Sequence, residues 1–405
     1  MDQIASSFKR ERWGRFASVF LIVLLLTLVC GSTLISAFYG QHPQRHYLLQ
    51  ADSLIHGHLD IDPAGLTDIA YLDGRAYIPF PPGPALVLLP LVVAFGVDRL
   101  NTTLVALALA LLTLWAFLRL LGRLDVAPAN RVWFAAAFFL GTGYWPALTQ
   151  GGHVWFFASI VAVAFSVLAL EEALGHRRPW LAGLYIGVAF LSRQLTITLV
   201  PVVGILLWLD ARKRDASMAR LLPFGAALSV ALAGYLWFNA ARFGNPFDTG
   251  YAHIQLSGFL QARVARYGLF NLAYVPFNFV HMFLEGWHLG FGGPMSLTPL
   301  GVNPFGVSLL AASPFLLLSL WARNHRLVRS AVWFSVGAAL IVMLLYYNNG
   351  WIQVNSQRFS LDFLPALFLL VIDGTPHVDS KIFKGTVAYA VALNLISLVF
   401  LPFMN

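Results

Sequence analysis

Residues 42–84 read HPQRHYLLQADSLIHGHLDIDPAGLTDIAYLDGRAYIPFPPGP, and the fold turns on how this stretch and its flanks are read. It carries five aspartates (Asp52, Asp60, Asp62, Asp68, Asp73), four histidines and a Pro-rich exit. Long apolar runs lie on either side. A connection this long is usually functional or disordered. Disorder is disfavoured because Tyr47, Leu48, Leu49, Leu54, Ile55, Leu59, Tyr71, Tyr77 and Ile78 supply apolar surface for docking. The stretch is expected to form the active-site loop of a membrane enzyme.

Composition sets the surroundings. Of 405 residues 59% are hydrophobic and only 11% charged, against roughly 25% charged in soluble domains. An all-α polytopic membrane protein is expected. The net charge of +8 does not point to nucleic acid, because the basic residues are scattered between apolar runs. The lone cysteine, Cys30, excludes an intrachain disulfide. Residues 16–38 exceed a signal-peptide core and show no cleavage site, so they read as a retained signal anchor.

Apolar runs able to cross a bilayer occupy 16–38, 101–121, 132–145, 154–170, 180–191, 195–209, 221–240, 305–321, 331–347, 359–372 and 386–403. A twelfth, 84–97, contains Pro84 and Pro90 and reaches only about 21 Å at 1.5 Å per residue. Charge decides its role. Lys9, Arg10, Arg12 and Arg15 place the N-terminus in the cytoplasm. If 84–97 does not cross, 18 of the 26 Lys and Arg residues fall on the cytoplasmic side; if it crosses, every cytoplasmic group after the N-terminus flips outward. The segment is therefore read as a juxtamembrane or re-entrant helix, giving about eleven transmembrane helices and an external C-terminus.

This topology places a first loop (41–100), a second long segment (241–304) and the turns at 146–153, 192–194 and 348–358 outside, all within one transmembrane domain spanning 1–405. Within the second segment, 274–287 has the aromatic composition of an interfacial helix. The runs at 180–191 and 132–145 are short, so their external ends should border a wet recess. Gln150, His153, Arg193 and Gln194 fall at those ends.

No phosphate-cradling loop, dinucleotide fingerprint, HExxH or GxSxG motif is present, which argues against nucleotide-driven chemistry. A transferase acting on a hydroxyl acceptor needs a carboxylate as general base. Asp52, in the more apolar part of the loop, and the Asp60/Asp62 pair are the candidates. Arg358 and Asp362, four apart at a helix start, would share a face. They form either an internal ion pair or a phosphate clamp in which Asp362 orients Arg358. Arg193, beside the short helix, is a second phosphate-binding candidate. His153, Gln194, Asp248, Tyr251 and Glu285 are candidate pocket residues, with His288 beside them. No metal site is assigned: His46, His56, His58 and Asp60 lack ligand spacing, although a divalent cation is compatible with them.

Several stretches together resemble the GT-C class of membrane glycosyltransferases, especially the relatives of protein O-mannosyltransferases and lipid A aminoarabinose transferases. They are YLLQADSLIHGHLDID, DGRAYIPFPPGPALVLLPLVVAFG, VWFFASIVAVAFSVLALEEAL, LAGLYIGVAFLSRQLTITLVP, NAARFGNPFDTGY and WIQVNSQRFSLDFLP. The resemblance implies a polyprenyl-phosphate-linked sugar donor, and a glycan, lipid or protein acceptor. It also implies an Asp base from the first external loop, an external Arg holding the donor phosphate, and juxtamembrane helices after that loop. The setting would be a bacterial plasma membrane. The family pattern places Asp-Glu four residues before a Tyr and a small residue four after it. Tyr47 and Ala51 fit, but the acidic positions hold Pro43 and Gln44. Asp52 is the nearest substitute, with Asp60 and Asp62 behind it. The expected reaction is an inverting sugar transfer at the external face; the rivals are a non-catalytic subunit of the same fold and a lipid-linked-sugar transporter.

Overall fold

The computed structural model describes residues 2–40, 44–63, 65–350, 353, 357–375 and 381–400, with side chains from Phe20 to Val399. Pro43 and the end of the last apolar run lie outside the described residues. The elements run α1 (Asp2–Tyr39), α2 (His46–Ile55), β1 (Ala70–Leu72), β2 (Arg75–Tyr77), α3 (Gly83–Phe95), α4 (Thr102–Arg123), α5 (Pro128–Phe139), α6 (Tyr144–Thr149) and α7 (Val154–Leu174). There follow α8 (Pro179–Phe190), α9 (Val200–Lys213), α10 (Leu222–Phe243), α11 (Gly258–Tyr267), α12 (Val275–Phe279), β3 (Leu289–Gly292), β4 (Thr298–Val302), α13 (Leu309–Ala312), α14 (Arg326–Leu345), α15 (Leu364–Asp373) and α16 (Lys381–Phe400). The two strand pairs are local antiparallel hairpins, so the molecule is essentially helical.

Among the described residues, seven helical stretches are long and apolar enough to cross a bilayer: Phe20–Tyr39, Thr102–Arg123, Val154–Leu174, Gln194–Lys213, Met218–Phe243, Arg326–Leu345 and Lys381–Val399. The other four expected runs are also helical but shorter or broken. The run at 132–145 divides into α5 and α6 around Gly141 and Gly143; 305–321 divides at Ser313-Pro314; and 359–372 opens as the 3-10 turn Arg358–Asp362 before α15. Pro and Gly break these runs because they remove a backbone donor or loosen the chain. The doubtful 84–97 run forms α3, 13 residues long and about 20 Å at helical rise. It packs chiefly along α2 rather than among the long helices.

The centre of the bundle is α7, apolar over most of its length and buried on all sides in the fold. Helices α4 and α8 pack along it. On its far side α8 meets α10 through Gly183 and Gly187, where a Cβ would lie 2.5 Å from the Phe224 carbonyl oxygen and 2.8 Å from the Ala231 methyl group. Small residues four apart let membrane helices approach this closely.

At 21 residues α7 spans about 30 Å, and each end carries a different ionic set. At the C-terminal end the nearly buried Glu171 pairs with Arg119 at 3.0 Å and Arg123 at 3.6 Å. Glu172, also nearly buried, holds Arg178 at 2.8 Å, and Asp210 holds Arg177 at 3.2 Å. These arginines belong to the group that charge counting assigned to one side of the membrane. The N-terminal end of α7 carries the first loop and the site.

Candidate functional site

Two loop segments close over the N-terminal end of α7. In the first, Asp73-Gly74 makes the β1–β2 turn with both residues at positive φ (51° and 76°), the backbone that Asp-Gly supplies best. Ala70 then bridges to Ile254 of the second segment. The buried Arg242 at the end of α10 donates to the Ile78 carbonyl and stacks on Phe238 and Phe243, which fixes the far edge. The exit of the first loop is pinned at Gly83, whose N–H donates to Leu191 O at 2.6 Å. A Cβ there would stand 2.5 Å from that oxygen, so the close approach requires glycine. The contact seats the first loop against the break that ends α8, one residue before Ser192-Arg193.

Beneath the loops lies a cavity of about 530 Å³. Its polar part is built from Tyr47, Thr67, Asp68, Arg193, Tyr251, Tyr347, Arg358 and Asp362; Leu195, Ile254, Leu260, Phe270, Val342 and Met343 make the apolar part. Arg193 stands in extended backbone (φ −144°) between α8 and the 3-10 turn Gln194–Leu199. Its Nε and Nη2 donate to the two carboxylate oxygens of Asp362 at 2.9 and 2.8 Å, with the Asp362 side chain only 1% exposed. Burial works against the Arg193 charge, but Asp362 more than offsets it and holds the guanidinium above its usual value.

Residues 358–362 do not form the α-helical face expected from their spacing. They make a 3-10 turn with three residues per turn, so positions four apart do not stack, and the Asp362 carboxylate is taken by Arg193. Arg358 is buried, with its guanidinium 5.0 Å from the ring centres of Phe156 and Phe359 and 5.6 Å from that of Trp155. Its backbone N–H donates to Gln353 at 3.0 Å. Burial, and then the Arg193 charge, push its guanidinium down from the usual value, while Asp68 pulls the other way.

The acid facing Arg358 is Asp68, which sequence reading did not select. Burial pushes its carboxyl up from the usual value, and the Arg358 charge and a hydrogen bond from the Trp155 side chain hold part of that rise back. Its backbone sits at φ 57°, a conformation Asp tolerates better than most residues. The loop carrying it is fixed from α2: His46 Nε2 lies 2.7 Å from the Thr67 carbonyl, and Gln44 Nε2 lies 3.5 Å from Thr67 Oγ1. Gln44 occupies one of the positions where the family pattern would place an acid. Asp68 follows Thr67 directly, 24 residues after Gln44 in the chain.

The three acids selected from sequence lie elsewhere. Asp52, on the last turns of α2, is 44% exposed and stands 3.8 Å from His56. Asp60 and Asp62 flank Ile61, whose N–H bonds to the Ala76 carbonyl at the base of the hairpin; none of the three lines the cavity. Of the pocket candidates, Gln194 and Tyr251 do line it, and Gln194 donates to Tyr235 Oη at 3.0 Å. His153 sits half-buried beside Arg358; burial and that charge lower its pKa, and its Nδ1 has no hydrogen-bond partner. Asp248 instead accepts from the Gly250 N–H and faces His253, both at 2.8 Å. Glu285 accepts from Asn303 at 3.3 Å, with His288 at 3.5 Å. Both acids hold their own loops. Among the described residues no three or more His, Cys, Asp or Glu side chains gather in a metal-binding group.

No protein-family model matches the chain, and no curated protein aligns with it significantly. By structure it is similar to ArnT from Cupriavidus metallidurans, solved bound to undecaprenyl phosphate, with a TM-score of 0.51 and 13% sequence identity. The fold is that of a GT-C-like multi-pass membrane protein. The likeness covers 87% of this chain but 59% of ArnT, so the chain spans less than two thirds of that protein's length. At this identity the shared property is the fold. It agrees with the architecture that the resembling stretches implied.

Proposed function

We propose that this protein transfers a sugar from a polyprenyl-phosphate carrier to a hydroxyl acceptor at the external face of a bacterial plasma membrane, with inversion at the anomeric carbon. The observation that carries this reading is the placement of a buried Arg358 and a half-buried Asp68 on one cavity. That ArnT was solved with undecaprenyl phosphate supports a donor of the same chemistry.

In the proposed reaction Asp68 accepts the proton of the acceptor hydroxyl. The hydroxyl oxygen bonds to the anomeric carbon on the face opposite the phosphate. The bond from that carbon to the phosphate oxygen breaks, and its electron pair leaves with the phosphate. Arg358 stabilises the charge that develops there, as fixed cationic donors do. Arg193, held in orientation by Asp362, supports the same anion. The polar part of the cavity receives the sugar and phosphate, and the apolar part receives the start of the prenyl chain. The acceptor is a glycan, lipid or protein hydroxyl.

The test is transfer from undecaprenyl-phosphate sugars by the full chain reconstituted in liposomes. Wild type is expected to release undecaprenyl phosphate with an acceptor present, and Asp68→Asn to lose this while still binding donor. Full turnover by Asp68→Asn would remove Asp68 as the base; donor binding without turnover by wild type would favour a transporter or a non-catalytic subunit.

A further inference from the structure

α11 has two working faces. Leu260 points to the cavity, whereas Phe259, Ala262, Arg263 and Arg266 line a separate shallow groove of about 510 Å³ closed by Phe277 and Phe305. Arg263 and Arg266, three apart on one helix, share a side. Arg263 is held between rings, 4.9 Å from Phe259 and 4.4 Å from Phe277, and Nη1 donates to the Tyr347 carbonyl at 2.9 Å. Arg266 is exposed beside the Tyr267 ring at 5.2 Å. No Asp or Glu occurs in 249–284, so nothing in this segment neutralises the two guanidinium groups.

The height of the groove is set by Asn278. Its Nδ2 donates to the carbonyls of Met343, Leu344 and Tyr346 at 3.1, 2.9 and 2.8 Å, which seats α12 on the C-terminal end of α14, one of the bilayer-length helices. Next to it Leu272, Phe279 and Leu284 are exposed at 77, 43 and 65%. An apolar face at the end of a membrane span, next to an arginine pair whose own segment carries no acid, fits the boundary between acyl chains and headgroups. Guanidinium forks match phosphate oxygens in that layer.

We infer that the α11 groove binds the phosphate headgroup of an anionic membrane lipid, at a site separate from the donor cavity. The apolar face covers the acyl chains, and Arg263 with Arg266 takes the phosphodiester. This inference does not depend on the transfer reaction, and its readout is lipid binding alone.

The experiment is native mass spectrometry of the full chain released from nanodiscs of phosphatidylglycerol, phosphatidylcholine or an equal mixture. Wild type is expected to retain phosphatidylglycerol over phosphatidylcholine. Arg266→Gln should lower that preference about tenfold, the worth of one charge-assisted hydrogen bond, and Arg266→Lys should recover part of it. Arg266→Gln, altered only at an exposed side chain, should melt at the wild-type temperature in phosphatidylcholine, which separates lost binding from lost folding. Equal retention of both lipids by wild type, or an unchanged preference in Arg266→Gln, would overturn the inference. Displacement of the lipid by millimolar inorganic phosphate would overturn it too, since it would make the groove a site for free anions.

Discussion

Replacing Asp362 by Asn keeps the side-chain shape and removes the charge that holds Arg193. The pair is bidentate at 2.9 and 2.8 Å, and the side chains are 1% and 18% exposed. Unit charges about 4 Å apart at an effective dielectric near 20 attract by about 4 kcal/mol. Removing one partner from a buried pair costs roughly 3–5 kcal/mol, because the remaining charge is left uncompensated. Asp362→Asn is therefore expected to destabilise the protein by about 3–5 kcal/mol, a large share of a typical stability of roughly 5–15 kcal/mol. Removing both charges, as Arg193→Met with Asp362→Leu, should restore most of that loss, since the desolvation cost goes as well. Transfer activity should not return in the double variant, because the cation proposed to support the donor phosphate is gone. The assay is reversible unfolding in mixed micelles under an SDS titration, followed by circular dichroism, with transfer measured on the same preparations. A loss below about 1 kcal/mol for Asp362→Asn, or a double variant no more stable than the single one, would refute the account of this pair.

Transfer should fall as pH drops through the Asp68 pKa, because the base must be ionised; burial raises that pKa, so the acid limb should lie above the ordinary carboxylate range in a pH–rate profile. Asp68→Asn should abolish the limb together with about 10²- to 10⁴-fold of the rate. Arg358→Gln is expected to lower kcat/KM by about 10²- to 10³-fold, with Arg358→Lys only partly active because a point charge lacks the planar fork; equal activity of wild type and Gln variant would remove Arg358 from the site. Asp52→Asn, Asp60→Asn and Asp62→Asn, made singly, should each keep transfer within about twofold of wild type, as substitutions away from the cavity do. Gly183→Leu should force α8 from α10 and lower stability by about 1–3 kcal/mol, read as a lower midpoint in the same SDS titration.

The apolar runs were legible because bilayer burial imposes a length and a composition that survive without knowledge of contacts. That α7 is the innermost helix was not legible, since apolar runs of equal hydropathy face outward elsewhere in the fold. Arg193, Gln194, Arg358 and Asp362 line the cavity and were legible because a charged or amide side chain at the end of an apolar run needs a partner or a wet recess. The pairing among them was not legible: spacing offered Arg358 to Asp362, and the 3-10 turn gave Asp362 to Arg193 across 169 residues. The acid that lines the cavity was not legible for a related reason. Asp52, Asp60 and Asp62 stood out by their neighbours in the chain, while Asp68 looked like one more loop acid before the strand AYL. The one available hint was its setting between Leu66 and Ile69-Ala70, an apolar context that a solvated acid does not need.

The chain by itself determined a multi-pass helical protein with a polar loop after its first helix, since hydropathy and charge act residue by residue. Only the tertiary structure decided which acid of that loop meets Arg358, because that choice depends on where the backbone folds back on itself. His46 and Gln44 hold Thr67, Gly83 seats the loop exit on Leu191, and the turn at Asp68 then brings its carboxylate to Trp155. Those are long-range contacts, and nothing in the local spacing of the acids encodes them.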